Sequence, residues 1–195
     1  MKCEKRNVKI QDEFFQSLKP LYKHKTEVGG GINFDKKGNI KTIHYFTSDS
    51  DKNIKFDEIY DVEFHAHPPL GKSKRFLLAS RRASASDIAS TFVSGREEII
   101  FAKGYNFIVR IKNRELFENT KKMINKRLKG KKFESPFYKY KEFFAEQEAI
   151  IKEKYRDDIK KLNDAWNKEI EKYGLEVSRI DPKKVEVSIH GACKD

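Results

Sequence analysis

Cysteine is almost absent from this chain, which has only Cys3 and Cys193, near opposite ends. Two cysteines without a C-x-x-C pair argue against a disulfide framework and a cysteine-based zinc site. No apolar run approaches the roughly 20 residues that a membrane-spanning helix needs. The first residues, MKCEKRNVKIQDEFF, lack the apolar stretch of a signal peptide. Low-complexity segments and internal repeats are missing too. These absences leave an intracellular, cytoplasmic protein with no membrane contact as the expectation.

What is present is enough for a folded core. Hydrophobic residues make up 37% of the 195 positions, and Phe alone accounts for 15. That content argues against a disordered chain and supports one domain, or a domain with an appendage. Charged residues also reach 37%, with 42 Lys and Arg against 30 Asp and Glu, for a formal net charge of +12. A balance of this kind favours acidic partners, nucleic acid among them. The basic residues are spread along the chain and interleaved with acids, so a soluble lysine-rich surface is the plainer account of them.

Periodicity and punctuation divide the chain into elements. A short helix is expected over 11–19, with Phe14 and Leu18 on one face and Pro20 near its end. Strands are expected over 28–34 and 40–46, joined by a turn at Lys37-Gly38. Gly29, Gly30 and Gly31 in the first of them signal a bulge or a close backbone approach. A third strand is expected over 61–67, and a helix over 86–94 that stops at Gly95. EEIIFAK and YNFIVRI, flanking Gly104, read as a hairpin, and 114–129 as a basic helix ending at Gly130. From Ser135-Pro136 an apolar stripe runs from Tyr140 through Phe144, Ile151, Trp166 and Ile170 to Tyr173. One helix over 137–173 would be roughly 55 Å long, so it either breaks into a hairpin or projects. A short strand follows at 185–189. The expected class is α+β, a mainly antiparallel sheet flanked by helices, divided into a domain at 1–132 and a helical extension with a terminal strand at 133–195.

The chemistry-bearing triplet is His65-Ala66-His67. Side chains two apart on a strand point the same way, so the two imidazoles converge while Val62, Phe64 and Ala66 face the core. Such a pair is a ready two-point metal site. Alone, it is weak evidence for a metal and reads more readily as a pair of solvated histidines on an exposed strand face. Pro68 ends the strand and is expected to leave the pair at a sheet edge. Ser84-Ala85-Ser86-Asp87 opens the next helix and, alone, reads as a capping box. Glu27, alone, is a loop carboxylate ahead of the glycine strand.

In order, E-V-G-G-G-I at 27–32, H-A-H-P at 65–68 and S-A-S-D at 84–87 resemble the JAB/MPN+ (JAMM) zinc metalloprotease family. The resemblance covers about residues 5 to 115. It implies a JAB/MPN-like fold, with His65, His67 and Asp87 as zinc ligands. It also implies Glu27 as general base on the zinc-activated water and Ser84 as hydrogen-bond donor to the oxyanion. The implied activity is hydrolysis of a peptide or isopeptide bond in a protein substrate, with ubiquitin-like conjugates as candidates. The chain departs from the family's usual short connection at residues 68–83, which carry Lys72, Lys74, Arg75, Arg81 and Arg82. The basic segments 72–82 and 121–132 favour an alternative, a nucleic-acid-associated module of the same fold without peptidase activity.

Overall fold

A computed structural model describes residues 5–10, 12–18, 28–47, 60–67, 82–102, 105–181 and 185–190. Among them a two-stranded ribbon pairs β1 (Lys5–Lys9) with β8 (Glu186–His190), antiparallel. The main sheet has six strands: β2 (Val28–Phe34), β3 (Ile40–Thr47), β4 (Val62–Ala66), β5 (Glu98–Ala102), β6 (Tyr105–Ile111) and β7 (Leu175–Arg179). Their order is β3-β2-β4-β5-β6-β7, and every neighbouring pair is antiparallel except β4 with β5. Parallel neighbours need a crossover, and this one contains α2 (Ala85–Ser94). The remaining described helices are α1 (Asp12–Leu18), α3 (Arg114–Arg127), α4 (Pro136–Lys154) and α5 (Ile159–Glu171). The chain is therefore α+β with a mostly antiparallel sheet. No described helix is long and apolar enough to cross a membrane.

Alternation along the strands builds two cores. On one face Val62, Phe64, Ile99, Phe101 and Ile108 pack with Phe14 and Phe15 of α1 and with Val8 and Val187 of the ribbon. On the other, Ile100, Phe107 and Val109 pack with α2, with Tyr140, Phe143 and Phe144 of α4, and with Trp166 and Ile170 of α5. With both faces covered, β4 is buried along its whole length. The expectation of solvated histidines on an open strand face fails for that reason.

The long C-terminal stripe breaks into the helical hairpin that was one of its two expected outcomes. α4 is capped at Tyr155, and Asp158 starts α5 by accepting the Lys161 amide at 3.0 Å. Folding back lets both helices bury their apolar sides on the same sheet face, which a projecting rod could not do. Gly174 (φ 82°) ends this region, and a Cβ there would lie 2.6 Å from the Asn113 oxygen and the Phe117 nitrogen. The chain then turns directly into β7, a strand that the periodicity did not announce. Residues 133–195 thus supply a strand to the main sheet, a strand to the ribbon and much of one core.

The glycines of β2 make a close approach. A Cβ on Gly30 would sit 1.9 Å from the His44 carbonyl oxygen and 2.6 Å from the Phe64 ring. One on Gly31 would fall 1.9 Å from the Tyr60 ring, which fills that space and is 1% exposed. β2 lies directly beside β4, so this glycine pair sets the packing around the strand that carries the histidines.

Candidate metal centre

His65 on β4 and His67 just past its end lie two residues apart, and their rings meet on the α2 side of the sheet. The two Nε2 atoms are 2.9 Å apart, with ring centroids at 4.8 Å. His67 anchors the strand end by donating its amide to the Phe101 carbonyl at 2.7 Å. The expectation that the pair lies at a sheet edge is corrected here. β4 is an interior strand, between β2 and β5, and the histidines sit at its C-terminal end. His65 is buried, and His67 is the more accessible of the two.

α2 brings the third group. Ser84 is its N-cap, and the capping box is complete: the Ser84 hydroxyl accepts the Asp87 amide at 3.3 Å, and Asp87 Oδ2 accepts the Ser84 amide at 2.6 Å. The other carboxylate oxygen, Oδ1, lies 3.2 Å from His65 Nε2 and 3.6 Å from His67 Nε2. Asp87 therefore divides its two oxygens between helix capping and the imidazole pair. Both readings of S-x-x-D hold at once.

His65 Nε2, His67 Nε2 and Asp87 Oδ1 form a set that could hold a metal ion. A tetrahedral ion with arms of about 2.0–2.1 Å needs donor–donor edges of about 3.3 Å. The three observed edges, 2.9, 3.2 and 3.6 Å, bracket that value. Two nitrogens and a carboxylate oxygen suit a divalent transition metal. The donor set and its spacing could hold such an ion.

The electrostatics favour a cation at this point. Burial opposes charging His65, yet the Glu98 and Asp87 carboxylates outweigh it and hold its proton affinity well above that of an ordinary histidine. Burial likewise opposes ionising Asp87, but the His67 and His65 imidazoles overcome it and hold the carboxyl far below the usual range. Glu63, on the same face of β4, is pushed up to about 8, first by burial and then by the neighbouring Glu98 charge, with Arg96 working the other way.

Residues far along the chain secure the α2 end of the site. Trp166 of α5 is fully buried and donates its indole N–H to the Ala83 carbonyl at 2.7 Å. Arg82 is buried and forms an ion pair with Glu148 of α4, which also meets Lys152 at 3.1 Å. The residues just ahead of Ser84 are thus tied to both C-terminal helices.

Of the five site residues expected from the sequence, His65, His67, Ser84 and Asp87 are brought together. Glu27 lies outside the described residues, as do 68–81 of the basic connection. His44, expected to be structural, packs its ring against Tyr60. Sequence reading missed Glu98, whose Oε1 lies 2.9 Å from His65 Nδ1. The available signal was Glu97-Glu98 opening an apolar strand, where carboxylates are rarely buried.

Comparisons with protein families, with curated proteins and with solved structures find no match to this chain.

Proposed function

We propose that this chain is a zinc-dependent hydrolase of peptide or isopeptide bonds, of JAB/MPN+ type. The observation that carries the reading is the convergence of His65 Nε2, His67 Nε2 and Asp87 Oδ1 on one point at the end of β4. Three protein ligands on zinc leave a position for water, the pattern of catalytic and not of structural sites. A metal held there would supply Lewis acidity and would acidify a water to near neutrality.

The chain's own residues then divide the work. His65, His67 and Asp87 hold the cation. Asp87 does so from a helix start that its other oxygen helps to cap. Ser84 accepts the Asp87 amide through its hydroxyl oxygen, which leaves the hydroxyl hydrogen to donate to a developing oxyanion. Glu27 is the general base, one residue ahead of β2, where the glycine pair admits the backbone close to β4. The order of E-V-G-G-G-I, H-A-H-P and S-A-S-D along the chain supports the family assignment, and with it the JAB/MPN-like fold. A protein carrying a ubiquitin-like conjugate is the substrate class that follows.

A second reading, a metal-containing module that binds nucleic acid without hydrolysis, draws on α3. There Lys122 and Lys126 are exposed, as are Lys129 and Lys132 just past its end. It is the weaker reading, because Arg127 and Lys131 of the same stretch are engaged by Glu146 and Glu142 of α4.

The deciding experiment combines composition with turnover. Protein purified without chelator should contain one zinc per chain by elemental analysis, and a His65→Ala, His67→Ala double variant should contain none. Ubiquitin and ubiquitin-like conjugates should be cleaved without chelator and spared with it. Glu27→Gln should keep zinc while turnover falls by about 10²–10⁴. Full zinc occupancy in the double variant would sink the ligand assignment. Equal turnover in Glu27→Gln and wild type would sink the mechanism.

A further inference from the structure

We infer that Glu98 is a positioning residue of the metal centre, holding His65 so that its Nε2 lone pair faces His67 and Asp87. The inference rests on the metal-binding reading above and adds a residue that the sequence motifs did not contain.

The geometry is direct. Glu98 lies on β5, the parallel neighbour of β4, opposite Glu63 and on the same sheet face as His65. Its Oε1 is 2.9 Å from His65 Nδ1, and both residues are almost fully buried. When Glu98 is ionised its carboxylate can only accept, and Nδ1 is then the donor. In a neutral imidazole that choice puts the lone pair on Nε2. Nε2 is the atom that lies 2.9 Å from His67 Nε2 and 3.2 Å from Asp87 Oδ1. The contact thus selects the tautomer that can bind a metal at the point where the other two donors meet.

A role in packing alone does not account for this residue. Its neighbours on the same face include Ile100 and Phe107, apolar and fully buried, and Glu63 opposite it, a second buried carboxyl whose ionisation it opposes. An apolar side chain at 98 would join them, whereas a buried carboxylate carries a desolvation penalty of several kcal/mol unless a partner offsets it. A partner at 2.9 Å is a ring nitrogen of a candidate ligand. A carboxylate behind a ligating histidine fixes ring orientation and raises ligand basicity, and its removal typically weakens metal binding 10–100-fold.

The test uses the full chain, zinc and two variants. Glu98→Gln keeps shape and an acceptor oxygen but removes the charge, and Glu98→Leu removes both. Zinc affinity is measured by competition with a chromophoric chelator. The His65 tautomer is read in zinc-bound wild type from the ring ¹H–¹⁵N NMR correlations. The expected results are an Nδ1–H tautomer in wild type, a loss of about 10-fold in Glu98→Gln, and up to about 100-fold in Glu98→Leu. A wild-type protein that binds zinc through Nδ1 of His65 overturns the inference without any variant. Wild-type affinity in both folded variants also overturns it and leaves the metal site standing. A wild type that takes up no zinc overturns the metal reading, and the inference with it.

Discussion

Replacing Asp87 by Asn separates its two jobs. Asp87 Oδ2 caps α2 by accepting the Ser84 amide at 2.6 Å, and Oδ1 faces the imidazole nitrogens at 3.2 and 3.6 Å. An asparagine at 87 keeps one carbonyl oxygen, which can take the capping position. Its amide NH2 then points at the histidines and can donate to a ring nitrogen, but it has no lone pair for a metal. The capping loss is therefore small, on the order of 1 kcal/mol, since a neutral acceptor replaces a charged one near a helix N-terminus. The metal loss is large. Even a residue behind a ligand is worth 10–100-fold in affinity, so a ligand itself should exceed 100-fold. The consequence is read by thermal denaturation with zinc at about 100 times the wild-type dissociation constant. Wild type should gain about 2.7 kcal/mol under those conditions. For a chain of this length that is a rise in Tm of about 5–10 °C. Asp87→Asn should gain less than about 0.5 kcal/mol at the same zinc concentration, a shift of a degree or so. Without zinc, the variant should melt below wild type, because the buried pairing of Asp87 with His65 is lost along with the charged cap, so the zinc-induced rise is the quantity that reports ligation. A variant that keeps the full zinc-induced rise would refute the ligand role. One that unfolds without zinc would mean that capping and the pairing with His65, and not ligation, are the main tasks of this carboxylate.

Three further outcomes follow from the packing and the charges. Gly30→Ala should cost more than about 3 kcal/mol or prevent folding, because its Cβ would meet the His44 carbonyl at 1.9 Å inside a strand ladder; a denaturation midpoint near wild type would contradict the close approach. Trp166→Phe removes the N–H bond to Ala83 and leaves a small void, and should lower stability by about 2–4 kcal/mol with an unchanged urea m-value; a loss under 0.5 kcal/mol would exclude the tie between α5 and the start of α2. Glu63→Gln tests the carboxyl that burial and Glu98 push from 4.5 up to about 8. Because the folded value is raised, its contribution is fully present below 4.5 and is lost as pH rises through about 8. Metal-free Glu63→Gln should therefore gain on wild type by a few kcal/mol across that window in denaturant titrations, and a pH-independent difference would count against a buried, neutral Glu63.

Local chemistry made most of the elements legible. Apolar alternation and turn residues located the strands at 28–34, 40–47, 62–66, 98–102 and 105–111 to within a residue or two. Capping residues located the start of α2 at Ser84 and of α4 at Ser135. Period two along β4 was enough to put His65 and His67 on one side, since that follows from strand geometry whatever the strand packs against. A β7 of five residues, by contrast, has the burial pattern of a half-covered strand and carries Glu176 and Arg179. Its identity as a strand comes from hydrogen bonds to β6, which no local pattern encodes. β1 exists only by pairing with β8, at the other end of the chain.

The sequence by itself determined which residue types were available and which neighbours shared a face: two imidazoles at the end of one strand, and a carboxylate at the third position of one helix. Only the tertiary structure decided that they meet. The parallel pairing of β4 with β5 forces the chain through a crossover, and α2 in that crossover aims the free oxygen of Asp87 at the histidines. The same pairing sets Glu98 behind His65, 33 residues away in sequence. The C-terminal helices, through Trp166 and Glu148, hold the residues before Ser84 in place. Periodicity reports the face on which a side chain lies. The distance between faces of different elements is set by the packing of both cores, and the three donor atoms come within bonding range of one ion only after that packing is complete.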